Sequence, residues 1–459
     1  MSTVITPSHE EFIALAREYT VVPVWTQILA DLETPVAAFI KLVGDGDGFL
    51  LESVEHGERW SRYSFVGRNP RGTLTLRNGV LHATGTIPAS VPLDKGMLAA
   101  MEELLRIYRA PLFPDLPPLQ GGLMGHLGYD VVREIETLPN IPHDDRDLPD
   151  ASISVIGSLA AFDHWRQRVY LLESVPVAGL TDDEINQAYD AAVVRVHEAV
   201  ADISRPLAYV AVEPPVAGDV LPETRSSMPN GRYQNAVEVA KEYIRAGDIF
   251  QVVLSQRFDI DLSADPIDVY RVLRQVNPSP YMYFLRQPDL TIVGGSPEPM
   301  VQLLNGKVVS RPIAGTRKRG ENDEHDRRLA AELRENPKEV AEHIMLVDLA
   351  RNDVGRVATY GSVTMDELMT LERYSHVMHI VSNVVGRLDS SRDALNALFA
   401  GFPAGTVSGA PKIRAMQIID ELEREKRGPY GGCIGYFGAN GEMDTCIVLR
   451  TAIVKDGKM

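Results

Sequence analysis

Residues 341–353, AEHIMLVDLARND, put a carboxylate where a helix would otherwise carry an apolar residue. Glu342 lies three, four and seven positions before Met345, Leu346 and Leu349, so on a helix it leaves from the same stripe as they do. An ionised carboxylate in apolar surroundings is strongly destabilising unless a cation, a salt partner or a proton compensates it. Asp348, Arg351, Asn352 and Asp353 follow as a polar cluster a turn or two later. Hard oxygen donors suit Mg2+, which binds through one or two carboxylates and completes its shell with substrate oxygens and water. The alternative is an arginine partner for Glu342 and a role in the fold alone.

Three further stretches carry chemistry. RPIAGTRKRG, residues 311–320, reads as a strand ending in a Gly-Thr turn followed by cations, where backbone amides near Gly315 and the Thr316 hydroxyl could hold a carboxylate; a solvated basic loop is the other reading. FPAGTVSGAPKIRAMQIIDELE, residues 402–423, is a glycine-rich turn entering a helix near Pro411, and such an N-terminus offers free amides and the positive dipole end to an anion. It lacks the spacing of a nucleotide-binding P-loop, and its glycines could equally serve close packing. HVMHIVS, residues 376–382, sets His376 and His379 three apart among apolar residues, as core histidines or as a proton donor and acceptor beside a cleft. With no third ligand nearby, zinc does not fit. Cys433, in a GGCIG sequence, looks like a nucleophile elbow but has no histidine downstream, and reads as a core residue on a strand.

The elements that must position these groups follow from periodicity. In the first half, VAAFIKLV, GFLLESV, GTLTLRNG, SLAAFDH and RQRVYLLES read as short strands, LDKGMLAAMEELLRIYR as a helix and Gly44–Gly48 as a hairpin turn. Residues 205–231, with five prolines, read as a linker or crossing segment between an N-terminal domain (1–204) and a C-terminal domain (232–459). NGRYQNAVEVAKEYIRAG predicts a helix stopped by Gly247, with Tyr233, Val237, Ala240 and Ile244 on its packed face, and IFQVVLSQRF (249–258) predicts a strand. Strands and helices do not alternate strictly, which fits a large antiparallel or mixed sheet with flanking helices, an α/β fold of the α+β type, better than a Rossmann wind.

The whole chain, 459 residues, is 44% hydrophobic and 24% charged, the balance of a globular protein with a large core. Its net charge of −17 argues against attraction to nucleic acid or anionic membrane. The N-terminus has neither a basic n-region nor an apolar h-region, and no apolar run is long enough to span a bilayer, so a cytoplasmic location is expected. Two cysteines give no disulfide framework.

Taken together, GDIFQVVLSQRF, NPSPYMYF, GGSPEPM, RPIAGTRKRG, AEHIMLVDLARND, RYSHVMHIVS, FPAGTVSGAPKIRAMQIIDELE and RGPYGGCIGYFG resemble, in order, the motifs of the chorismate-utilising enzymes, more loosely LLESVE and RYSFVG before them. The resemblance implies a four-layer sandwich of large, mainly antiparallel sheets flanked by helices. Members that add water to chorismate carry lysine where this chain has Gln251, and those that make aminodeoxychorismate carry a nucleophilic lysine where it has Ala314. Gln251 with Ala314 therefore implies direct addition of ammonia and loss of pyruvate to give anthranilate. Aminodeoxychorismate, isochorismate or salicylate chemistry, or a tryptophan-binding form without activity, are the alternatives.

By the same resemblance Glu342 binds Mg2+, Glu298 is the general acid for the leaving hydroxyl, His379 transfers protons, and Gly315, Thr316, Tyr430 and Arg450 bind chorismate. Ser53 with Pro280, Tyr281 and Met282 forms a feedback site for L-tryptophan. Ammonia comes from a glutamine amidotransferase subunit in a hetero-oligomer, expected to be a heterotetramer. The sequence departs from the family pattern at TCIVLRTAIVKDGKM, a strand entering an Asp-Gly hairpin turn with no return strand, short of the family's glycine-alanine-glycine loop and second metal-binding glutamate. The catalytic domain is expected to lack its C-terminal end in the sequence as given.

Overall fold

Period-two alternation decides which way each long strand faces. Along Tyr281–Arg286, Tyr283 and Leu285 enter one apolar cluster while Met282 and Phe284 enter another. Repeated over many strands, this produces two sheets in the computed structural model, which describes residues 4–54, 62–207, 209, 211–216, 218–229, 231–374 and 377–459.

The eight-stranded sheet runs in the order Val21–Leu29, Arg168–Pro176, Ser158–Asp163, Tyr63–Arg68, Gly48–Glu52, Tyr281–Arg286, Thr291–Ser296, Thr451–Val454. The eleven-stranded sheet runs Ile313–Lys318, Val377–Arg387, Lys307–Ser310, Pro299–Leu304, Met443–Ile447, Cys433–Gly438, Gly122–Leu127, Ala151–Val155, Gly72–Arg77, Val80–Gly85, with Thr364–Arg373 also paired to Val377–Arg387. All these pairings are antiparallel.

Trp25, Phe65, Tyr283 and Ile292 from the first sheet meet Met124, Ile434, Tyr436 and Cys446 from the second in a core between the two faces. Helices Pro35–Leu42, Asp182–Ile203 and Pro266–Val276 cover the outer face of the eight-stranded sheet. Gly96–Ile107, Pro337–Gly355, Ala394–Gly401 and Lys412–Leu422 cover the other. The result is the four-layer arrangement expected from the resemblance. No helix among the described residues is long and apolar enough to cross a membrane.

Several expectations are corrected. VAAFIKLV is a helix, because Thr34 caps the amide of Ala37 and Pro35 occupies the first turn, which outweighs its apolar run. The Gly44–Gly48 turn therefore joins a helix to a strand and is not a hairpin turn. Residues 249–258 form only the two-residue strand Gln251–Val252 and the start of another at Phe258–Asp259. Between them the backbone amides go to the Ser408 carbonyl, the Glu423 carboxylate and the Ser227 hydroxyl instead of a sheet. Helix Arg232–Ala246 ends at Gly247 as expected, but it buries Ala236 and Ala240 while Ile244 stays exposed. TCIVLRTAIV is two strands in different sheets. Lys455 and Lys458 close the Asp-Gly turn beyond them, and Met459 pairs with Ile260. Both sheets take strands from either side of residues 205–231, so that segment divides the sequence but not the sheets.

Candidate active site

The chain passes between the sheets twice at neighbouring places. Thr291–Ser296 lies in one sheet and Pro299–Leu304 in the other, and likewise Met443–Ile447 and Thr451–Val454. Each strand of the first pair is hydrogen-bonded to a strand of the second, so the two crossings run side by side. The Ile447 amide donates to the Glu298 carbonyl at 3.1 Å and the Gly295 amide to the Arg450 carbonyl at 3.3 Å. Glu298 sits on the first crossing and Arg450 on the second.

Glu298 is 8% exposed. Burial pushes its carboxyl up to about 8, with the Thr406 hydroxyl pulling the other way. It borders a cavity of about 40 Å3 closed by Leu346 and Leu349 of helix Pro337–Gly355 and by the Gly405–Thr406 turn. Gly405 is needed there: a Cβ on it would lie 2.4 Å from the Leu349 side chain.

The buried face of that helix consists of His343, Leu346, Val347, Ala350 and Val354. Glu342 falls at its edge and is only half-buried, so the fully apolar setting expected for it is not found. Its Oε1 accepts from Gln251 Nε2 at 3.1 Å. The polar cluster expected beyond it is dispersed: Asp348 pairs with Arg351 at the surface, and Asp353 with Lys412 at 3.3 Å. Among the described residues no three His, Cys, Asp or Glu side chains are grouped to hold a metal ion. Glu342 thus offers one hard carboxylate, which fits a Mg2+ ion that takes its other ligands from substrate and water.

His379 is buried on Val377–Arg387 opposite Thr316. Its Nδ1 lies 3.1 Å from the Gly315 carbonyl and 3.0 Å from Thr316 Oγ1. A carbonyl only accepts, so Nδ1 carries the proton and Nε2 keeps its lone pair. Burial, helped by the positive charge of Arg450, lowers the imidazole below its ordinary value, against the Gly315 carbonyl and Glu372. Gly315 makes this possible by adopting φ 70° at a register shift between Ala314 and Thr316. Ala314 itself is buried.

Tyr430 and Arg450 line a separate, larger cleft of about 560 Å3. Arg450 is exposed, with φ 49°. Arg427 packs its guanidinium over the Tyr430 ring at 5.7 Å and donates to the carbonyls of Val407 and Val253 at 2.6 and 2.7 Å, tying the Thr406 turn to the Gln251 strand. His376 lies outside the described residues.

A second pocket, about 130 Å3, opens between the sheets and brings together Ser53, Pro280, Tyr281 and Met282. Ser53 Oγ is buried with no hydrogen-bond partner among the described residues. Asp444, not singled out from sequence, lines the same pocket and accepts from Tyr281 Oη and Gln302 Nε2, both at 3.1 Å, yet desolvation raises its carboxyl to about 7. The signal for it was an acid at an inward position of the alternating strand Met443–Ile447. Thr406 and Arg427 carried no comparable signal. Cys433 is a buried strand residue whose thiol burial pushes up to about 12, as its reading as a core residue requires.

The family described as chorismate binding enzyme matches residues 50–459. Anthranilate synthase component 1 of Cereibacter sphaeroides is 48% identical over 446 residues, 94% of this chain and 87% of that protein. The protein of the same name from Acetivibrio thermocellus is 42% identical over 470 residues, covering 98% and 91%. Among solved structures, anthranilate synthase component I from Streptococcus pneumoniae TIGR4 aligns with a TM-score of 0.76 and 35% identity, over 94% of this chain and 92% of that one. The menaquinone-specific isochorismate synthase of Escherichia coli shares the fold, with a TM-score of 0.65 and 16% identity over 97% and 91%.

Proposed function

Since this chain belongs to the chorismate binding enzyme family, we propose that it is the component of anthranilate synthase that converts chorismate and ammonia to anthranilate, pyruvate and water. The observation that carries the reading is the amide of Gln251, hydrogen-bonded to Glu342 where a water-activating relative would hold a lysine, together with the methyl of Ala314 in place of a nucleophilic amine. Neither residue can activate water or attack carbon, whereas ammonia needs no base.

The protonated carboxyl of Glu298 gives its proton to the departing C4 hydroxyl as ammonia bonds to C2. The lone pair on His379 Nε2 then takes the C2 proton as the enolpyruvyl ether bond breaks, the ring becomes aromatic, and the departing enolate takes a proton at its methylene carbon to become pyruvate. Gly315, Thr316, Tyr430 and Arg450 hold the substrate, Arg450 through a carboxylate. A Mg2+ ion on Glu342 would draw charge toward the ring carboxylate and ease departure of the hydroxyl. Ser53, Pro280, Tyr281 and Met282 bind L-tryptophan as a feedback inhibitor, and a glutamine amidotransferase subunit supplies ammonia in a cytoplasmic hetero-oligomer.

Incubation with chorismate, Mg2+ and ammonium should release blue-fluorescent anthranilate and equimolar pyruvate. Salicylate or an aminodeoxychorismate product in their place would sink the assignment.

A further inference from the structure

One tyrosine spans the distance between the two pockets. Tyr283 is 1% exposed and lines the pocket that holds Ser53 and Tyr281. Its phenol oxygen lies 2.6 Å from Thr451 Oγ1 and 3.5 Å from the Leu449 carbonyl. Thr451 Oγ1 lies 2.7 Å from that same carbonyl, so the phenol, the hydroxyl and the carbonyl form one hydrogen-bonded group. Leu449 and Thr451 flank Arg450, whose φ of 49° is a conformation that a residue with a side chain rarely keeps unless its neighbours hold it. The phenol reaches Thr451 across Gly294, where a Cβ would meet the ring at 2.3 Å and Thr451 Oγ1 at 2.6 Å.

We propose that Tyr283 is a positioning residue that holds the turn carrying Arg450 and reports occupancy of the inhibitor pocket to the substrate cleft. The proposal rests on the roles given above to Arg450 and to that pocket. With the pocket empty, the relay from Tyr283 through Thr451 to Leu449 fixes the turn and Arg450 meets the substrate carboxylate. A ligand pressing on the ring draws the phenol oxygen from Thr451, the turn leaves its left-handed conformation, and chorismate binds less tightly. Linkage makes the effect reciprocal, so chorismate weakens the inhibitor by the same factor.

The test compares Tyr283→Phe and Thr451→Val with the wild type in the full chain, by steady-state chorismate kinetics with and without L-tryptophan and by calorimetry of L-tryptophan binding. Each variant should raise the chorismate KM at least about fivefold, the low end of site-to-site coupling, with a much smaller change in kcat. L-tryptophan should still bind both variants but no longer raise that KM. The double variant should be no worse than either single one, since both break one relay. Tyr283→Phe with wild-type KM and full inhibition would overturn the proposal. So would loss of inhibition in Tyr283→Phe alone, because Thr451 does not line the inhibitor pocket and a packing defect there would then explain the result. A wild type that turns over chorismate but does not bind L-tryptophan removes the pocket's assigned role and the reporting half with it, while the KM comparison still decides whether Tyr283 positions Arg450.

Discussion

Two acids held uncharged longer than usual border different cavities, Glu298 the small one under helix Pro337–Gly355 and Asp444 the pocket proposed for the inhibitor, and they differ in the backbone that carries them. Glu298 stands on a crossing between sheets beside the 3-10 turn Gly405–Val407, where burial and the Thr406 hydroxyl act on its carboxyl. Asp444 stands on a regular strand, with a phenol and an amide donating to it. Desolvation is the larger influence on both, raising Glu298 to about 8 against the Thr406 hydroxyl and Asp444 to about 7 against Gln302 and Tyr281. The backbone differs likewise elsewhere: Gly315, at a strand bulge, and Arg450, between two strands, adopt positive φ, whereas the pocket holding Asp444 is walled largely by strand residues.

The sharpest way to break this contrast is Glu298→Gln. It keeps the shape and removes the proton donor, so kcat should fall by roughly 10²–10⁴, the usual worth of a general acid. In the wild type, kcat with ammonium should decline as pH rises through about 8, as the acid form is lost. Stability moves the other way in the variant. Between pH 4.5 and about 8 the native state keeps a proton that the unfolded state has released, so wild-type stability falls as pH rises across that window. Melting curves of Glu298→Gln should therefore gain on the wild type with increasing pH, by on the order of a few kcal/mol at the top of the window.

Glu342→Gln comes next. It leaves an oxygen that can accept from Gln251 but no charge for a cation. Turnover should drop about 10- to 100-fold, the cost of weakening a metal site, and the Mg2+ concentration giving half-maximal rate should rise. An unchanged Mg2+ requirement would remove Glu342 from metal binding and leave it as the partner of Gln251.

How far the sequence could be read follows the same division. The sheets were legible wherever a strand alternates, as in Tyr281–Arg286, and Gly247 marked a helix end, but at Gly315 the expected turn is a bulge in a strand that runs on to Lys318. VAAFIKLV was misread because an unbroken apolar run has no period, leaving Thr34 and Pro35 as the only helix signals. The strand expected over 249–258 failed because its alternation serves side-chain contacts and not a ladder. Nothing local places Glu298 beside the Ile447–Arg450 crossing: that juxtaposition depends on pairings between strands some 150 residues apart, such as Gly294 with Thr451. Motif resemblance reached those residues where periodicity could not, and helical periodicity put Glu342 in a drier setting than the fold provides.

Ser53→Ala probes the pocket more gently. Its hydroxyl is buried and has no partner among the described residues, so a ligand's polar group could pair with it, and losing it should weaken L-tryptophan inhibition by about 3- to 10-fold, one hydrogen bond's worth. A wild-type inhibition constant would take Ser53 out of the site.

The smallest effect belongs to Asp444→Asn, and it separates the two acids most cleanly. Asparagine keeps an oxygen for Tyr281 and Gln302, so the pocket wall should survive and inhibition change little. What changes is titration. The folded carboxyl is raised from 3.8 to about 7, so the wild type loses stability as pH rises through that interval and no further above it. The gain in melting temperature of Asp444→Asn should therefore grow up to about pH 7 and then level off, while that of Glu298→Gln keeps growing to about pH 8. A gain that did not grow between about pH 4 and 7 would show that the donors hold Asp444 ionised through that interval.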